Sequence, residues 1–492
     1  MGAWLSLNGE RYDDRRLPVR EERVRVPLLF LLLGVIGRAL VRVVAATVFR
    51  PGLWVPLVLV IVVVRAMGLA GLSLGVTVVA GGLLAWSLLH SASYQRFVHL
   101  PTRAVRRHLF VYRLGWQPAM VTCRLDIRIG QRQYLPKLVR VRSTRSVDRV
   151  RVRMLPGQLL EDYAEQAERL ATTLGAVECR VRSGKQHGEV ELWFLVEDPL
   201  RRLVPGFDAN KDGPDYTRLP VALREDSETY RLRLIGNHVL VVGATGSGKG
   251  SVLWSIVSAI HPGLLAGSAQ LWVLDPKGGM EFAPGARLFH RYSYGDPESE
   301  NRFEARTYEL AFACFLEDAV AIMRQRQSEL RGVTRLHEPT PDSPLIVIVV
   351  DELASLTAYA TDRDARNRIK AALSLLLSQG RAVGVVVVAA LQDPRKDVLP
   401  FRDLFPTRVA LRLTEPEQVD MTLGDGARRR GARCDLISEL LPGVGYVVID
   451  GVAEPVRVRF PYISDEQIEA LAATAPSAFL VKELQPTGGE AA

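Results

Sequence analysis

Residues 238–251, HVLVVGATGSGKGS, decide the fold. The first five are almost all apolar and predict a short buried strand, and the apolar spacing from residue 251 onwards predicts a helix. Between them lies a glycine-rich loop that ends in Lys249. Its backbone N–H groups, the helix N-terminus and the lysine charge can together bind phosphate groups. The residues expected at the phosphates are Gly243, Ala244, Thr245, Gly246, Ser247, Gly248, Lys249, Gly250 and Ser251.

The residue after the lysine departs from the usual loop, in which a Ser or Thr hydroxyl binds Mg²⁺. This chain has Gly250 there, and Ser251 follows. One helical residue is a rotation of about 100°, so Ser251 does not simply replace that hydroxyl. Two interpretations stay open. Either Ser251 reaches the metal through a distorted first turn or a bridging water, or the metal is held more weakly.

A second strand of this kind is residues 345–352, LIVIVVDE. Its apolar, largely β-branched run predicts a buried parallel strand that ends in two carboxylates. In a nucleotide-hydrolysing site, Asp351 is expected to hold Mg²⁺, through water, and Glu352 to polarise the attacking water. About a hundred residues after the glycine-rich loop, this pair predicts ATP hydrolysis with Mg²⁺.

Three more strand ends fit the same sheet. Residues 271–277 place Asp275 and Lys277 at a carboxyl edge, and residues 383–392 end at Gln392, a candidate sensor of the γ-phosphate. An ordinary role at the end of a strand is the alternative for each of these side chains. Together with the strand at 408–413, the pattern predicts a doubly wound α/β sheet with its ligand at the carboxyl ends.

Charge divides the chain in two. Residues 1–160 hold 25 Lys and Arg against 7 Asp and Glu, a net charge of +18, whereas the rest carries −9. The basic part is also the most apolar part, which favours a membrane-flanking role over a diffuse nucleic-acid footprint. The four cysteines form no CxxC pair, so neither a zinc site nor a disulfide framework is indicated. They are Cys123, Cys179, Cys314 and Cys434.

Two apolar runs, 51–64 and 66–89, predict a transmembrane hairpin with helices at about 47–64 and 69–89 and Arg65 in the turn. Arginines lie on both sides, which places both termini in the cytoplasm by the positive-inside rule. They are Arg11, Arg15, Arg16, Arg20, Arg23 and Arg25 before the hairpin, and Arg96, Arg103, Arg106, Arg107 and Arg113 after it. A buried pair of core helices is the alternative. A further apolar run, 26–37, is read as an interfacial helix, with a third span as the alternative.

The chain order that follows has seven segments. They are a basic N-terminal segment with a possible interfacial helix (1–46), the transmembrane hairpin (47–90), a basic linker (91–120), a small α+β adaptor module (121–198), a second linker (199–220), the ATPase domain (221–462), and a short helix with a polar tail (463–492). The module is expected to contain a strand at 147–154, a helix at 158–175 and two further strands.

The motifs of residues 220–450 resemble the FtsK/SpoIIIE family of DNA-translocating ATPases. They are GATGSGK at 243–249, DPK at 275–277, VVDELA at 349–354, GRAVG at 380–384, ALQDP at 390–394 and PTRVALR at 406–412. The membrane hairpin and basic linker resemble the transfer (Tra) proteins of actinobacterial conjugative elements, as does a lysine followed by Gly-Ser. The resemblance implies a RecA-like P-loop motor in the bacterial cell membrane with a cytoplasmic ATPase domain.

The same resemblance implies ATP and Mg²⁺ as cofactors, a homohexamer around double-stranded DNA, and contact with the lipid bilayer and with other transfer proteins. ATP then lies between subunits, and Arg381 and Arg408 are the candidates for an arginine that completes the neighbouring site. A further basic run consists of Arg428, Arg429, Arg430 and Arg433. It either contacts DNA or a neighbouring subunit, or is a solvated loop.

The expected function is therefore a membrane-anchored, ATP-dependent double-stranded DNA translocase for conjugative transfer. Chromosome handling and type VII-like protein secretion are alternatives within the same fold. A non-hydrolysing, nucleotide-gated membrane scaffold is the alternative of a different class, and Gly250 is what motivates it. After residue 462 we expect no room for the winged-helix domain with which some family members read DNA orientation.

Overall fold

The computed structural model describes residues 4–8, 23–27, 65, 71, 73–75, 77–207, 213–295, 302–395, 401–452 and 454–475. The chain divides into two compact units, Met1–Thr102 and Arg103–Ala492. In the first unit, strands β1 (Trp4–Asn8) and β2 (Arg23–Pro27) form an antiparallel pair, and residues 77–89 are helical.

The first helix of the expected hairpin, at 47–64, lies outside the described residues, and so does the apolar run that follows Pro27. Parts of the second helix, at 69–89, are described. Within the described ranges, no helix combines the length and the apolar character that crossing a membrane requires.

The second unit begins with a small α+β module. Its strands are β3 (Ile127–Ile129), β4 (Arg132–Tyr134), β5 (Lys137–Ser143), β6 (Val147–Arg153), β7 (Glu178–Ser183) and β8 (Glu189–Leu195). Its helices are α1 (Leu114–Thr122), α2 (Leu160–Glu165) and α3 (Ala167–Thr173). Four strands form an antiparallel sheet in the order β5–β6–β8–β7, and residues of α1, α2 and α3 share its apolar core.

Residues 91–120, expected to be a linker, are helical instead. They comprise Ser91–Tyr94, Gln95–His99, Leu100–Arg106, Arg107–Arg113 and the start of α1. Tyr112, Trp116 and Met120 recur every four residues and are buried in the core of the module. Because side chains at this spacing share one helical face, the end of this segment belongs to the module.

The rest of the second unit is built on a ten-stranded sheet. Its strands are β9 (Leu219–Arg224), β10 (Thr229–Leu232), β11 (Val239–Val242), β12 (Ala269–Asp275), β13 (Arg291–Tyr294), β14 (Leu345–Val350), β15 (Val385–Leu391), β16 (Thr407–Ala410), β17 (Val444–Ile449) and β18 (Val456–Arg459). The helices around it are α4 (Lys249–Leu265), α5 (Arg302–Leu330), α6 (Leu353–Thr357), α7 (Arg363–Gln379), α8 (Pro416–Leu423) and α9 (Asp465–Ala473).

The strand order is β10–β9–β18–β17–β16–β11–β15–β14–β12–β13. The six strands from β16 to β13 are parallel, and the other four join antiparallel. Strand β14 is buried along its whole length. Val347 and Val349 face one apolar core, with α4 and α9, and Ile346 and Ile348 face the other, with α5 and α7. Burial on both faces confirms the predicted α/β sheet.

The module and the large sheet are joined by buried ion pairs. Arg180 on β7 lies 2.9 Å from Glu225, and its guanidinium stacks 5.3 Å from the ring centre of Tyr446 on β17. Arg149 on β6 pairs with Asp226 at 3.0 Å. Arg180, Glu225 and Asp226 are largely buried in these pairs, whereas Arg149 is partly exposed. The pairs therefore fix the module to the antiparallel end of the sheet.

Residues 199–220, expected to be a second linker, also pack where they are described. Leu200, Val204 and Tyr216 are buried. Arg459 of β18 donates to the carbonyl of Leu200 at 2.9 Å. The connection between the module and the sheet is therefore anchored near both of its ends.

Replacing Arg180 with alanine should destabilise the unit by about 3–5 kcal/mol, because Glu225 would stay buried without its partner. Chemical denaturation of the purified chain measures the free energy of unfolding. Arg140→Ala is the matched control, since Arg140 is an exposed arginine of the same module and should change stability by less than about 0.5 kcal/mol. Equal losses in the two variants would contradict the ion pair's role.

Candidate active site

The glycine-rich loop runs from the end of β11 to the start of α4, and its glycines are required by its shape. Gly246 and Gly248 have φ angles of 72° and 95°, which favour glycine. A Cβ at Gly248 would overlap the backbone nitrogen of Gly443 and lie 3.0 Å from its Cα. That nitrogen donates to the carbonyl of Ser247 at 2.8 Å. The residue before β17 is thus held directly against the loop.

Lys249, the first residue of α4, arches back over the loop. Its Nζ donates to the carbonyls of Gly243 and Ala244 at 2.9 and 3.3 Å. Burial lowers its pKa, and repulsion from Lys277 lowers it further. The hydroxyl of Ser247 is buried and has no hydrogen-bond partner among the residues that the structure describes. A cation and an unpaired donor at a helix N-terminus suit phosphate oxygens.

Asp351 and Glu352 directly follow β14, and Lys277 pairs with both of them. Its Nζ is 3.2 Å from Asp351 Oδ2 and 3.3 Å from Glu352 Oε2. Burial acts to lower the pKa of Lys277, but attraction to the two carboxylates outweighs it and the pKa is raised. Burial raises the pKa of Glu352, with Lys277 opposing. Sequence reasoning left the role of Lys277 open, and the structure places it on the two candidate catalytic carboxylates.

Two more carboxylates lie beside this pair. Asp275 ends β12 and is fully buried, and burial and repulsion from Asp351 raise its pKa. Glu281 follows in the next loop. Burial, then repulsion from Asp351 and Asp275, raises the pKa of Glu281 to about 7. Sequence reasoning missed Glu281. The one indication in the sequence was the position of Glu281 just after the DPK turn, at the carboxyl end of a strand.

Gln392, the candidate sensor, contacts the loop, and its role as a sensor stays a prediction. The hydroxyl of Thr245 donates to Gln392 Oε1 at 3.2 Å. Strand β15, which carries Gln392, lies between β11 and β14, so it faces both the loop and the carboxylate pair. Arg412 was missed as a site residue, and its Nη2 donates to the Thr245 carbonyl at 2.9 Å. Its position just past β16, next to β11, was the available signal.

The two arginines proposed to act on a neighbouring subunit lie away from the loop. Arg381 is exposed and lies in the turn before β15, at the amino end of the parallel strands. Arg408 lies within β16, opposite Leu240 of β11, and is half-buried. Burial lowers the pKa of Arg408, and nearby Arg402 lowers it further. The structure therefore brings neither into the site of its own chain.

The basic run after α8 is divided by its contacts. Arg428 pairs with Asp435 at 2.8 Å, and its backbone nitrogen donates to Asp420 at 2.9 Å. Arg428 thus fixes the shape of its own loop. The other three side chains, Arg429, Arg430 and Arg433, are exposed.

The donor set suits Mg²⁺, which prefers oxygen ligands and usually takes one or two carboxylates together with nucleotide phosphates. Asp351 is such a carboxylate at the carboxyl edge. In the described part of the chain, no three His, Cys, Asp or Glu side chains are grouped so as to hold a metal by themselves. Helix α4 is regular from Lys249 onwards, so Ser251 faces about 100° away from position 250. Its role as a metal ligand stays a prediction.

A cavity of about 680 Å³ lies further along α4 and shares no residue with the loop. Ser255 and Ser258 of α4 and Pro461 and Ile463 after β18 are part of its wall. This cavity is therefore separate from the glycine-rich loop.

A glycine-rich loop with its lysine, a carboxylate pair at the end of a strand and a sensor strand between them define a P-loop ATPase. Two family models match the chain. One is described as the actinomycete conjugal transfer protein N-terminal domain and matches residues 86–196, and the other, the FtsK/SpoIIIE family, matches residues 202–332. Residues 86–196 thus match the N-terminal domain of conjugal transfer proteins and residues 202–332 match the FtsK/SpoIIIE family, in agreement with the resemblance drawn from the motifs.

Individual relatives agree with these two models. Transfer protein TraSA of Streptomyces ambofaciens is 28% identical over 350 residues, which cover 66% of this chain and 79% of that protein. DNA translocase FtsK of Sporosarcina ureae is 25% identical over 276 residues, 54% of this chain and 34% of that protein. This chain thus spans about a third of that FtsK protein.

Among solved structures, the chain is similar to the conjugation coupling protein TcpA of pCW3, a monomer with ATPγS. The match covers 75% of this chain and 99% of the TcpA chain. The TM-score is 0.45 and the sequence identity 18%. At this level of similarity, the function of one protein does not follow from that of the other.

Replacing Gly248 with alanine should abolish nucleotide binding and destabilise the fold, because the new Cβ would overlap Gly443 and the φ angle would be strained. Strain of this kind costs about 1–3 kcal/mol. Gly332→Ala is the matched control: Gly332 has a φ of 78°, but a Cβ there would meet nothing within 4 Å. Fluorescent-nucleotide binding and denaturation should show loss of binding only at position 248. Loss of binding in both variants would contradict this account.

Proposed function

We propose that this protein is a membrane-anchored, ATP-hydrolysing translocase of double-stranded DNA that acts in conjugative transfer. The observation that carries the proposal is one compact body that joins a P-loop ATPase site to a conjugal-transfer module through Arg180, Glu225 and Tyr446. The FtsK relative is named as a DNA translocase and the TraSA relative as a transfer protein. A motor that moves DNA between cells combines both descriptions.

ATP and Mg²⁺ are the proposed cofactors. The loop N–H groups and Lys249 neutralise and orient the phosphates, and Gln392, hydrogen-bonded to the loop, detects the γ-phosphate. Asp351 would hold Mg²⁺, and Glu352 would orient and polarise the attacking water. Bound Mg²⁺ supplies positive charge to the phosphate oxygens. Lys277 holds both carboxylates in place through its ion pairs.

The proposed assembly is a homohexamer around duplex DNA, in which each site is completed by an arginine of the neighbouring subunit. Arg381 suits this role better than Arg408. It is exposed at the amino end of the sheet, whereas Arg408 is half-buried within a strand of its own chain. The exposed Arg429, Arg430 and Arg433 remain candidates for DNA contact.

The proposed location is the bacterial cell membrane, with both termini and the ATPase domain in the cytoplasm. What supports it is the apolar sequence at 47–64 and 69–89 and the density of arginine on both sides. Fusing a periplasm-active reporter enzyme at residue 65 and at the C-terminus tests this topology. Reporter activity at the C-terminus and none at residue 65 would contradict it.

The experiment that tests the function uses the full chain purified in detergent micelles. Its ATP hydrolysis should increase on addition of duplex DNA, and it should displace the third strand of a DNA triplex in an ATP-dependent way. ATPase activity indifferent to DNA, with no triplex displacement, would overturn the translocase. Nucleotide binding without turnover would favour the membrane scaffold that Gly250 motivates.

A further inference from the structure

The gap left by Gly250 is filled by another residue of the same chain. A Cβ built at position 250 would overlap Oε1 of Glu281 and would lie 2.9 Å from its Cδ and 3.3 Å from its Oε2. No side chain fits at position 250 while the carboxylate stays where it is. Any side chain at position 250 would therefore have to displace the carboxylate of Glu281.

Position 250 is where the loop hydroxyl stands in the usual sequence pattern. In this chain, the oxygen in that space belongs to a carboxylate from the loop after β12. Helix α4 begins at Lys249. Ser251 is thus turned about 100° away from this space, and Glu281 fills it.

The position of Glu281 is fixed by its surroundings. Before it, a turn at Gly278 and Gly279, with φ angles of 81° and 79°, is tied down because the hydroxyl of Tyr292 donates to the Gly279 carbonyl at 3.0 Å. After it, Phe282 is fully buried in the apolar core. An anchor on each side fixes the backbone that carries Glu281, whose exposed side chain lies against position 250.

We propose that Glu281 supplies the oxygen ligand that a Ser or Thr hydroxyl supplies elsewhere to nucleotide-bound Mg²⁺, and that Gly250 is required to admit it. The inference rests on the proposed function, since it concerns the metal of the same ATP site. Carboxylate oxygens are preferred Mg²⁺ ligands. The buried, unpartnered hydroxyl of Ser247, in the described part of the same loop, independently indicates a ligand here.

The exchange of a hydroxyl for a carboxylate changes the charge balance of the site. With Mg²⁺ present, Glu281 attracts the metal. Without Mg²⁺, its ionised form places one more negative charge beside the phosphates and opposes ATP binding. Glu281→Gln should therefore weaken ATP binding in Mg²⁺ and strengthen it without the metal. A residue that only shaped the loop would shift both affinities in the same direction.

The test is the dissociation constant of a fluorescent ATP analogue for the full chain, measured in excess Mg²⁺ and in EDTA. The Mg²⁺ ratio is the dissociation constant in EDTA divided by the constant in excess Mg²⁺. Glu281→Gln should reduce this ratio by a factor of about 10–100. Glu281→Asp keeps the charge but shortens the side chain, so it should lose affinity mainly in Mg²⁺. Glu469→Gln, at an exposed glutamate on α9, is the matched control and should leave the ratio unchanged.

A double-mutant cycle tests the pairing of the two positions. Gly250→Ser alone should reduce the Mg²⁺ response, since the new side chain displaces Glu281. In Gly250→Ser/Glu281→Ala, the hydroxyl has room and the usual ligand is restored, so the response should recover. Additive losses in the double variant would overturn the proposed pairing.

The result that overturns the inference is a Glu281→Gln variant whose Mg²⁺ ratio equals that of the wild-type chain. Thermal unfolding of the same samples shows whether each variant is folded. If Glu281→Gln does not fold, the Mg²⁺ ratio of Glu281→Asp tests the proposal instead. Failure of the proposed function is distinguishable. In that case, the wild-type chain itself would neither bind the nucleotide nor hydrolyse ATP in Mg²⁺.

Discussion

Lys249→Ala should reduce ATP hydrolysis by a factor of at least about 10²–10³, comparable to removing one preorganised donor from a transition state. Lys249 is the one side chain of the loop that carries a full positive charge, and its Nζ lies over the loop carbonyls. Its loss leaves the phosphate charge to the backbone N–H groups alone. Nucleotide affinity should fall as well, because the same charge acts on the bound substrate.

Phosphate release by the full chain measures this effect. Lys185→Ala is the control, since Lys185 is an exposed lysine between β7 and β8 and has no place in the site. Both variants should keep the wild-type unfolding temperature within a few degrees. Normal turnover in Lys249→Ala would remove the loop from the mechanism.

Glu352→Gln should lower the hydrolysis rate by a factor of about 10²–10⁴, the usual contribution of a positioned general base. The amide keeps the shape of the carboxylate. Its oxygen can still accept from the backbone nitrogen of Ala354, which lies 3.4 Å from Glu352 Oε1. The structure of the strand end should thus survive while the charge that polarises water is lost.

The distinguishing outcome for Glu352→Gln is ATP binding without hydrolysis. Binding of a fluorescent ATP analogue should stay within a few fold of wild type, and turnover should nearly stop. Glu338→Gln, at an exposed glutamate of a loop, should leave both unchanged. If Glu352→Gln lost binding and turnover together, the residue would act through structure and not as a base.

Much of the sheet was predictable because its signals are local. Strand β14 was expected at the residues it occupies, since an unbroken β-branched run that ends in carboxylates has few other uses. The glycine-rich loop was equally evident, because strand, loop and helix are contiguous. Gln392, the polar residue directly after β15, could be placed at the carboxyl edge for the same reason.

Other parts depend on contacts between distant residues, which sequence patterns do not show. Glu281 matters because a tertiary turn brings it to Gly250, 31 positions earlier in the chain. Arg412 matters because β16 lies beside β11. Residues 91–120 were expected to be a linker because they are basic and follow the apolar runs. Their buried face, with Tyr112 and Trp116, becomes evident only against the module's sheet.

Strand β17 has a consequence for how such proteins can be recombined. Gly443, just before it, touches the nucleotide loop, and Tyr446, three residues on, stacks on Arg180 of the module. A chimera that exchanged only the module would break this junction. Functional chimeras should exchange Glu225 and Tyr446 together with residues 103–198. The unit that can be exchanged is therefore the module plus its contact residues on the large sheet.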